Sequence, residues 1–342
     1  MSQVNFCRPI IPNFNNLEKL LKESIDSGQL SNFGILYEKA VILLKEYLKV
    51  GHKDLILTSS GHTALMAAYS VLGIQKIVIP NYTFSSTLQA ARLQNIDVSI
   101  IDINEESATI SVQDLESLSF DYDAVVIVCP LSIIPPLEEL SLFCKANNKK
   151  LIIDGAATFG SSSEIFSYGD AYCLSFHATK TLSVGEGGAV IINKGYEEKV
   201  KSYITFGMDK EKNIQMCGIN GKISEYSCAI LIDLLLTIED SLQKRINNIS
   251  LYQEYLSEFF IPSHAERTVY TSAPLFLPEG KKEDAIKRLN SEGFTALSYY
   301  KPLVSGFIHS ANLFNRNVCL PSHHEVREED IDKIIKIIKL YL

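Results

Sequence analysis

The first periodic signal along the chain is helical. Leu17, Leu20 and Leu21, and later Ala40, Leu43, Leu44 and Tyr47, recur at the three-and-four spacing of a buried helix face. The turn-forming run Ser27-Gly28-Gln29-Leu30-Ser31-Asn32-Phe33-Gly34 separates the two groups, so two helices around an ordered loop are predicted within residues 1–50. Beyond them, short apolar runs at 54–57, 76–79, 97–101, 124–129 and 150–153 alternate with helical patterns at 63–72, 85–93 and 136–146. That alternation predicts βαβ units, hence an α/β fold whose large, mainly parallel sheet is sandwiched by helices. Runs at 171–175 and 189–193 extend the sheet. The pattern is helical again from Ile223 to Leu256, and the chain finishes with a strand at 270–277 and helices at 283–292 and 328–342. These suit a small C-terminal α+β domain, with the boundary inside the long helix: a large domain of residues 1–240 and a small one of 241–342.

Composition narrows the function classes. A chain of 342 residues, 46% hydrophobic and 21% charged, supports a sizeable core and excludes a disordered, collagenous or disulfide-built protein. With 32 Lys+Arg against 40 Asp+Glu the net charge is −8, which argues against nucleic acid or an anionic membrane as partner and for a small molecule. Seven cysteines without a CxxC pair, most of them among apolar neighbours, read as reduced thiols of a cytoplasmic protein with no metal centre. Neither a secretory leader nor an apolar run near the ~18 residues of a membrane span is visible, so neither secretion nor insertion is expected.

In parallel sheets ligands bind beyond the carboxyl ends of the strands, which directs attention to four polar clusters. Ser59-Ser60-Gly61-His62-Thr63 follows the first strand and opens a helix; hydroxyls, a glycine and free N–H groups there make an anion site or, equally, an ordinary helix cap. After the second strand, Phe84 in Asn81-Tyr82-Thr83-Phe84 offers a flat face to a heterocycle or packs in the core. Asp154 ends an apolar strand; a buried carboxylate needs a cationic or hydrogen-bonding partner, a protonated ring nitrogen or a structural group. The fourth cluster runs Ser175-Phe176-His177-Ala178-Thr179-Lys180 into Gly185-Glu186-Gly187-Gly188-Ala189. A lysine held between strand residues and a glycine-rich hairpin loses hydration, which favours its neutral, nucleophilic amine. A lysine, a carboxylate, a phosphate-type cluster and an aromatic face together are what pyridoxal phosphate requires.

These motifs, with Gly218-Ile219-Asn220-Gly221-Lys222-Ile223-Ser224-Glu225, Arg8-Pro9-Ile10-Ile11-Pro12 and Cys319-Leu320-Pro321-Ser322-His323-His324, resemble the DegT/StrS-type sugar aminotransferases over nearly the whole chain. The resemblance implies a fold type I enzyme that uses pyridoxal 5'-phosphate to aminate nucleotide-linked keto sugars, most similar to members acting on dTDP-linked 3-keto or 4-keto 6-deoxyhexoses. It implies that Lys180 carries the cofactor and moves the substrate proton, that Asp154 faces the pyridine nitrogen, that Phe84 stacks on the ring, and that Ser60, Gly61, His62, Thr63 and Ser175 hold the phosphate. Asn220 would reach the phosphate of the neighbouring subunit in a homodimer. Glu186, Lys222, Tyr299, Tyr300, Lys301, His323 and His324 fall in segments that contact sugar or diphosphate, although the tyrosines equally suit packing and the histidines helix capping. Glutamate or glutamine is the implied amino donor, and the product an amino sugar for a bacterial-type surface glycan such as the O-antigen of lipopolysaccharide.

Three positions depart from the family pattern. Ala157 stands where Gln, His or Glu usually meets the cofactor's phenolic oxygen, His62 replaces a threonine, and Pro130-Leu131-Ser132-Ile133-Ile134-Pro135 replaces a His-x-Tyr-Gly segment. The last change predicts a more apolar wall beside the site. Two other readings accompany transamination: a family member that binds cofactor or nucleotide sugar without turnover, and a sugar dehydratase, in which a histidine replaces the lysine that is present here as Lys180.

Overall fold

A computed structural model describes residues 3–342. Seven strands form one sheet: β1 (Asp54–Thr58), β2 (Lys76–Pro80), β3 (Asp97–Ile101), β4 (Ala124–Val128), β5 (Lys150–Asp154), β6 (Ala171–Ser175) and β7 (Gly188–Ile192), in the spatial order β1-β7-β6-β5-β4-β2-β3. Strands β3, β2, β4, β5 and β6 pair in parallel, while β7 runs antiparallel to both β6 and β1. The residues of β1, β4, β6 and β7 are all buried, as continuous apolar runs covered on both faces require.

Helices Gly61–Val71 and Ser85–Arg92 pack on one face with Leu65, Tyr69, Leu88 and Ala91 buried among Ile56, Ile77 and Val126. On the other face lie the helices Ile35–Leu48, Leu137–Ala146 and Glu225–Leu235, in a core with Leu57, Ile127, Ile153 and Leu174. The start of the Ile35–Leu48 helix has no cap side chain of its own. Buried Glu225 supplies one from a distance: its carboxylate accepts the N–H groups of Leu36 at 2.7 Å and Tyr37 at 3.1 Å. Two orphan donors and the positive end of the helix are thereby satisfied together.

The small unit holds a two-stranded antiparallel sheet, β8 (Ala273–Phe276) and β9 (Asn317–Leu320), covered by helices Lys282–Ser291, Ile308–Arg316 and Glu328–Ile338. The sequence pattern misses β9 and the Ile308–Arg316 helix, and it joins into one helical stretch what the structure breaks into Glu225–Leu235 and Ile238–Leu256. The latter helix straddles the two units: Ile238 and Leu242 lie in the large core, Ile249, Tyr252 and Leu256 in the small one. Its polar stripe ties down the small unit, with Arg245 donating to the Thr271 carbonyl at 3.2 Å, Asn248 to that of His323 at 3.1 Å and Tyr252 to that of Pro321 at 3.0 Å. The beginning of the chain, assigned by sequence to the large domain, runs along the small one. Val4 exchanges backbone bonds of 2.9 Å with Gly293 and Thr295, and Arg8 pairs with Glu325.

Among the described residues no helix is long and apolar enough to cross a membrane. Five of the seven cysteines are buried and Cys217 is exposed.

Candidate active site

The ends of β1, β2, β4, β5 and β6 and the start of the reversed β7 meet at one edge of the sheet, around a cavity of about 360 Å³. Ser60, Gly61, His62, Phe84, Asp154, Ala157, Ser175, Lys180, Tyr299 and Tyr300, far apart in sequence, all line it.

The anion-type cluster is built on close backbone packing. Ser60 caps the helix Gly61–Val71, accepting the N–H of Thr63 at 3.1 Å, and Thr63 turns its hydroxyl back to Ser59 and Ser60 at 3.0 Å instead of lining the cavity. The capping and anion readings therefore coexist, since one serine cannot satisfy every first-turn amide. Gly188 opens β7 directly beneath this turn, where a Cβ would lie 2.5 Å from the Ser60 carbonyl carbon; a Cβ on Gly61 would lie 2.8 Å from Ser175 Cβ. Only glycines let the helix start descend this far onto the strand ends.

Asp154 is buried, with Oδ2 accepting from Thr87 Oγ1 at 2.8 Å and Oδ1 from the Ala156 N–H at 3.3 Å. Burial pushes its carboxyl above the usual aspartate value, against the Thr87 and Ala156 hydrogen bonds and the charges of Lys180 and His62. Lys180 follows a tight turn in which its N–H bonds the His177 carbonyl at 2.9 Å. Loss of hydration lowers its ammonium below the ordinary lysine value, with Asp154 pulling the other way. Its loop starts and ends in adjacent antiparallel strands, and the pairs Phe176–Gly187 and Ala178–Gly185, bonded at 2.8 and 3.0 Å, close it.

Phe84 precedes the helix Ser85–Arg92 and meets Tyr300 edge-on at 6.4 Å, with Tyr299 and Phe6 continuing the aromatic wall. Val128, Cys129 and Leu131 add an apolar lining. Leu131 and Ser132 both take left-handed backbone conformations, held because Ser132 Oγ donates to the Ala157 carbonyl at 2.6 Å and accepts the Thr271 N–H at 3.1 Å. Such strain in non-glycine residues persists where the surroundings over-determine it.

Several residues singled out by sequence lie outside the cavity. Glu186 is exposed, 3.6 Å from His177. Asn220 and Lys222 pair with each other at 2.8 Å outside the cavity, while the intervening Gly221 carbonyl accepts the Ser59 N–H at 2.7 Å. Lys301 is exposed. His323 is buried and committed to backbone, with Nε2 3.0 Å from the Asn5 carbonyl and Nδ1 accepting from the Glu325 N–H; it ties loops together, and burial lowers its pKa to about 4. His324 stands beside it at a ring distance of 6.2 Å. Sequence reasoning missed Thr83, Thr87, Thr271, Ser272 and Phe6. Only the first two carried a signal, as hydroxyls flanking Phe84 at positions i and i+4.

The match to other proteins spans the chain. A model of the DegT/DnrJ/EryC1/StrS aminotransferase family fits residues 14–339. The dTDP-4-amino-4,6-dideoxy-D-glucose transaminase of Shigella dysenteriae is 25% identical over 358 residues, 97% of each chain. The UDP-4-amino-4,6-dideoxy-N-acetyl-beta-L-altrosamine transaminase of Campylobacter jejuni strain 81-176 is 27% identical, covering 92% of this chain and 90% of that one. Among solved structures, NtdA of Bacillus subtilis with bound cofactor PMP superposes with a TM-score of 0.89 at 22% identity, over 100% of this chain and 85% of that one. The fold is that of the fold type I aminotransferases, and the chain belongs to the DegT/DnrJ/EryC1/StrS aminotransferase family.

Proposed function

We propose that the protein is a pyridoxal-phosphate transaminase that moves an amino group from glutamate to a keto-6-deoxyhexose carried on a nucleotide, dTDP by preference. The observation that carries this reading is the convergence of Lys180 and Asp154 on one cavity beside the open start of the Gly61–Val71 helix.

The donor set fits the cofactor group by group. Amides of Gly61 and His62 with the Ser175 hydroxyl suit its phosphate, because a helix start concentrates N–H donors and positive potential. Asp154, kept high by burial, is a carboxylate whose ionised form a protonated ring nitrogen would stabilise. Phe84 offers a ring face, and Ala157 offers only a methyl and a carbonyl already bonded to Ser132, which leaves the phenolic oxygen to water or another residue. When bound, the cofactor supplies an aldehyde to carry nitrogen and a ring to accept an electron pair.

The chain's own residues do the rest. Lys180, its amine favoured by lost hydration, would hold the cofactor's aldehyde and, when free of it, would move the proton at the substrate carbon. Asp154 would face the ring nitrogen and favour its protonated form. The aromatic and apolar walls exclude water from the reacting carbon.

Asn220 and Lys222 complete the site from a second copy of the chain in this reading. They stand outside their own cavity, with Lys222 Nζ 4.9 Å over the ring of the exposed Phe206, an apolar side chain that a partner would cover. The Shigella and Campylobacter relatives, named for dTDP- and UDP-linked amino sugars, support the nucleotide-sugar class, which goes with a cytoplasmic enzyme supplying a surface glycan. The test is spectroscopic and chemical. Protein reconstituted with pyridoxal phosphate should show a yellow visible band that bleaches with glutamate, and should then yield amino sugar, read by mass, from a panel of 3-keto and 4-keto nucleotide sugars. A spectrum unchanged by amino donors would refute transamination in favour of binding alone.

A further inference from the structure

Asp154 does not stand alone at the end of β5. Thr87 Oγ1 lies 2.8 Å from its Oδ2, and Thr83 Oγ1 lies 2.8 Å from Thr87 Oγ1. Both threonines are buried, at 0% and 1% exposure, so water does not compete for these bonds. An ionised carboxylate only accepts. The hydroxyl proton of Thr87 is therefore committed to Asp154, and the proton between the two threonines comes from Thr83. With Asp154 ionised, as beside a protonated ring nitrogen, the chain runs one way: Thr83 donates to Thr87, which donates to Asp154.

We propose that Thr83 and Thr87 are positioning residues, a one-way donor chain that keeps the Asp154 carboxylate ionised and oriented toward the cofactor's ring nitrogen. The proposal rests on the reading that the cavity holds pyridoxal phosphate. Thr87 occupies one carboxylate oxygen on the side of its helix, and the Ala156 N–H holds the other at 3.3 Å, so the carboxyl plane cannot rotate freely. Among the influences opposing burial at Asp154, the Thr87 hydroxyl is the strongest, ahead of the Lys180 charge. Bonds in such a chain polarise one another, so the outer hydroxyl strengthens the inner bond.

The two threonines also flank Phe84. Thr83 precedes it, Thr87 lies one turn into the helix Ser85–Arg92, and the Tyr69 hydroxyl steadies that turn through the Thr87 carbonyl at 3.3 Å. One local segment thus sets both the aromatic face and the carboxylate that the ring nitrogen would meet.

The test titrates apo protein with pyridoxal phosphate and follows the yellow band, with the melting temperature of each apo variant as a check of folding. Thr87→Val keeps the shape and removes the hydroxyl; loss of a hydrogen bond to a charged group should weaken cofactor binding at least about tenfold. Thr87→Ser should stay within about twofold of the parent. Thr83→Val should weaken binding by a smaller factor alone and by none in the Thr87→Val background, because the chain is then already cut. Thr87→Val protein that binds as tightly as the parent, or a Thr83→Val effect that persists undiminished in the double variant, would overturn the chain while leaving the cofactor reading intact. Should Thr87→Val fail to fold, the comparison of Thr83→Val with Thr87→Ser decides, and equal binding by Thr83→Val and the parent counts against the proposal. A parent protein with no yellow band would overturn the cofactor reading itself.

Discussion

Replacing Gly188 by Ala probes the floor of the site with a single methyl group. Gly188 pairs with Thr58 of β1 on one side and Ser175 of β6 on the other, directly under the start of the Gly61–Val71 helix. The added Cβ would sit 2.5 Å from the Ser60 carbonyl carbon and 2.6 Å from the Ser60 oxygen and the Gly61 nitrogen, where ordinary contacts begin at 3.4 Å. All three atoms are backbone, so no side chain can swing aside, and the helix start must retreat by about 0.9 Å, the gap between 2.5 and 3.4 Å. Overpacking of this kind costs about 1–3 kcal/mol of stability. A shift near 1 Å in positioning groups costs on the order of 10²-fold in rate, about 2.7 kcal/mol of barrier. The assay compares cofactor affinity from the visible band, turnover with glutamate, and urea midpoint. Gly195→Ala is the control: its φ of +94° carries strain, but a Cβ there meets no atom within 4 Å, so it should lose about 1 kcal/mol of stability and no cofactor affinity. A Gly188→Ala protein with parental cofactor affinity and turnover would refute the claim that this close approach shapes the anion site.

Three other outcomes follow from the geometry. Burial holds His323 near pH 4 against an ordinary 6.5, so the stability tied to its neutral form is complete above 6.5 and is lost as pH falls toward 4, where the unfolded chain takes up the proton first; His323→Gln should flatten that acid limb of a melting-temperature profile by up to about 3 kcal/mol. Glu225→Gln leaves one acceptor for two helix N–H groups and should cost about 1.5–3 kcal/mol in urea unfolding, with a loss below about 0.5 kcal/mol counting against the distant cap. Mixing inactive Lys180→Ala and Asn220→Ala proteins should restore part of the turnover, since hybrid dimers pair an intact Lys180 with an intact Asn220; mixtures that stay inactive while subunits exchange would refute the composite site.

The central sheet was legible because its strands are uninterrupted apolar runs: the bounds 97–101 and 171–175 read from sequence are those observed. The small unit was harder to read. Strand β9 spans four residues beginning with Asn317 and finds its partner β8 some forty residues earlier, a pairing that no local period encodes. At the site, strand ends gave Ser60, Asp154, Ser175 and Lys180, because each polar cluster after a strand is locally conspicuous. Thr87 was hidden by its setting: a hydroxyl in an amphipathic helix looks like solvent-facing polarity, and only the neighbouring end of β5 turns it into a carboxylate ligand. For His323 the sequence allowed both a substrate contact and a structural role, and its ring is engaged with two backbone groups.

The helix Ile238–Leu256 has a mechanical consequence. A soft interdomain joint needs a few residues whose dihedral angles can change cheaply, but here the connection is 19 residues of continuous helix whose two ends are embedded in different cores. Swinging the small unit would mean breaking i→i−4 bonds in mid-helix and peeling the Val4 segment from Gly293 and Thr295. The packed helix and the Val4 bonds both oppose bending between the two units. On the function proposed above, admission of a nucleotide-bearing substrate falls to side chains at the rim such as the exposed Phe84, whose rotamer changes are faster than domain closure.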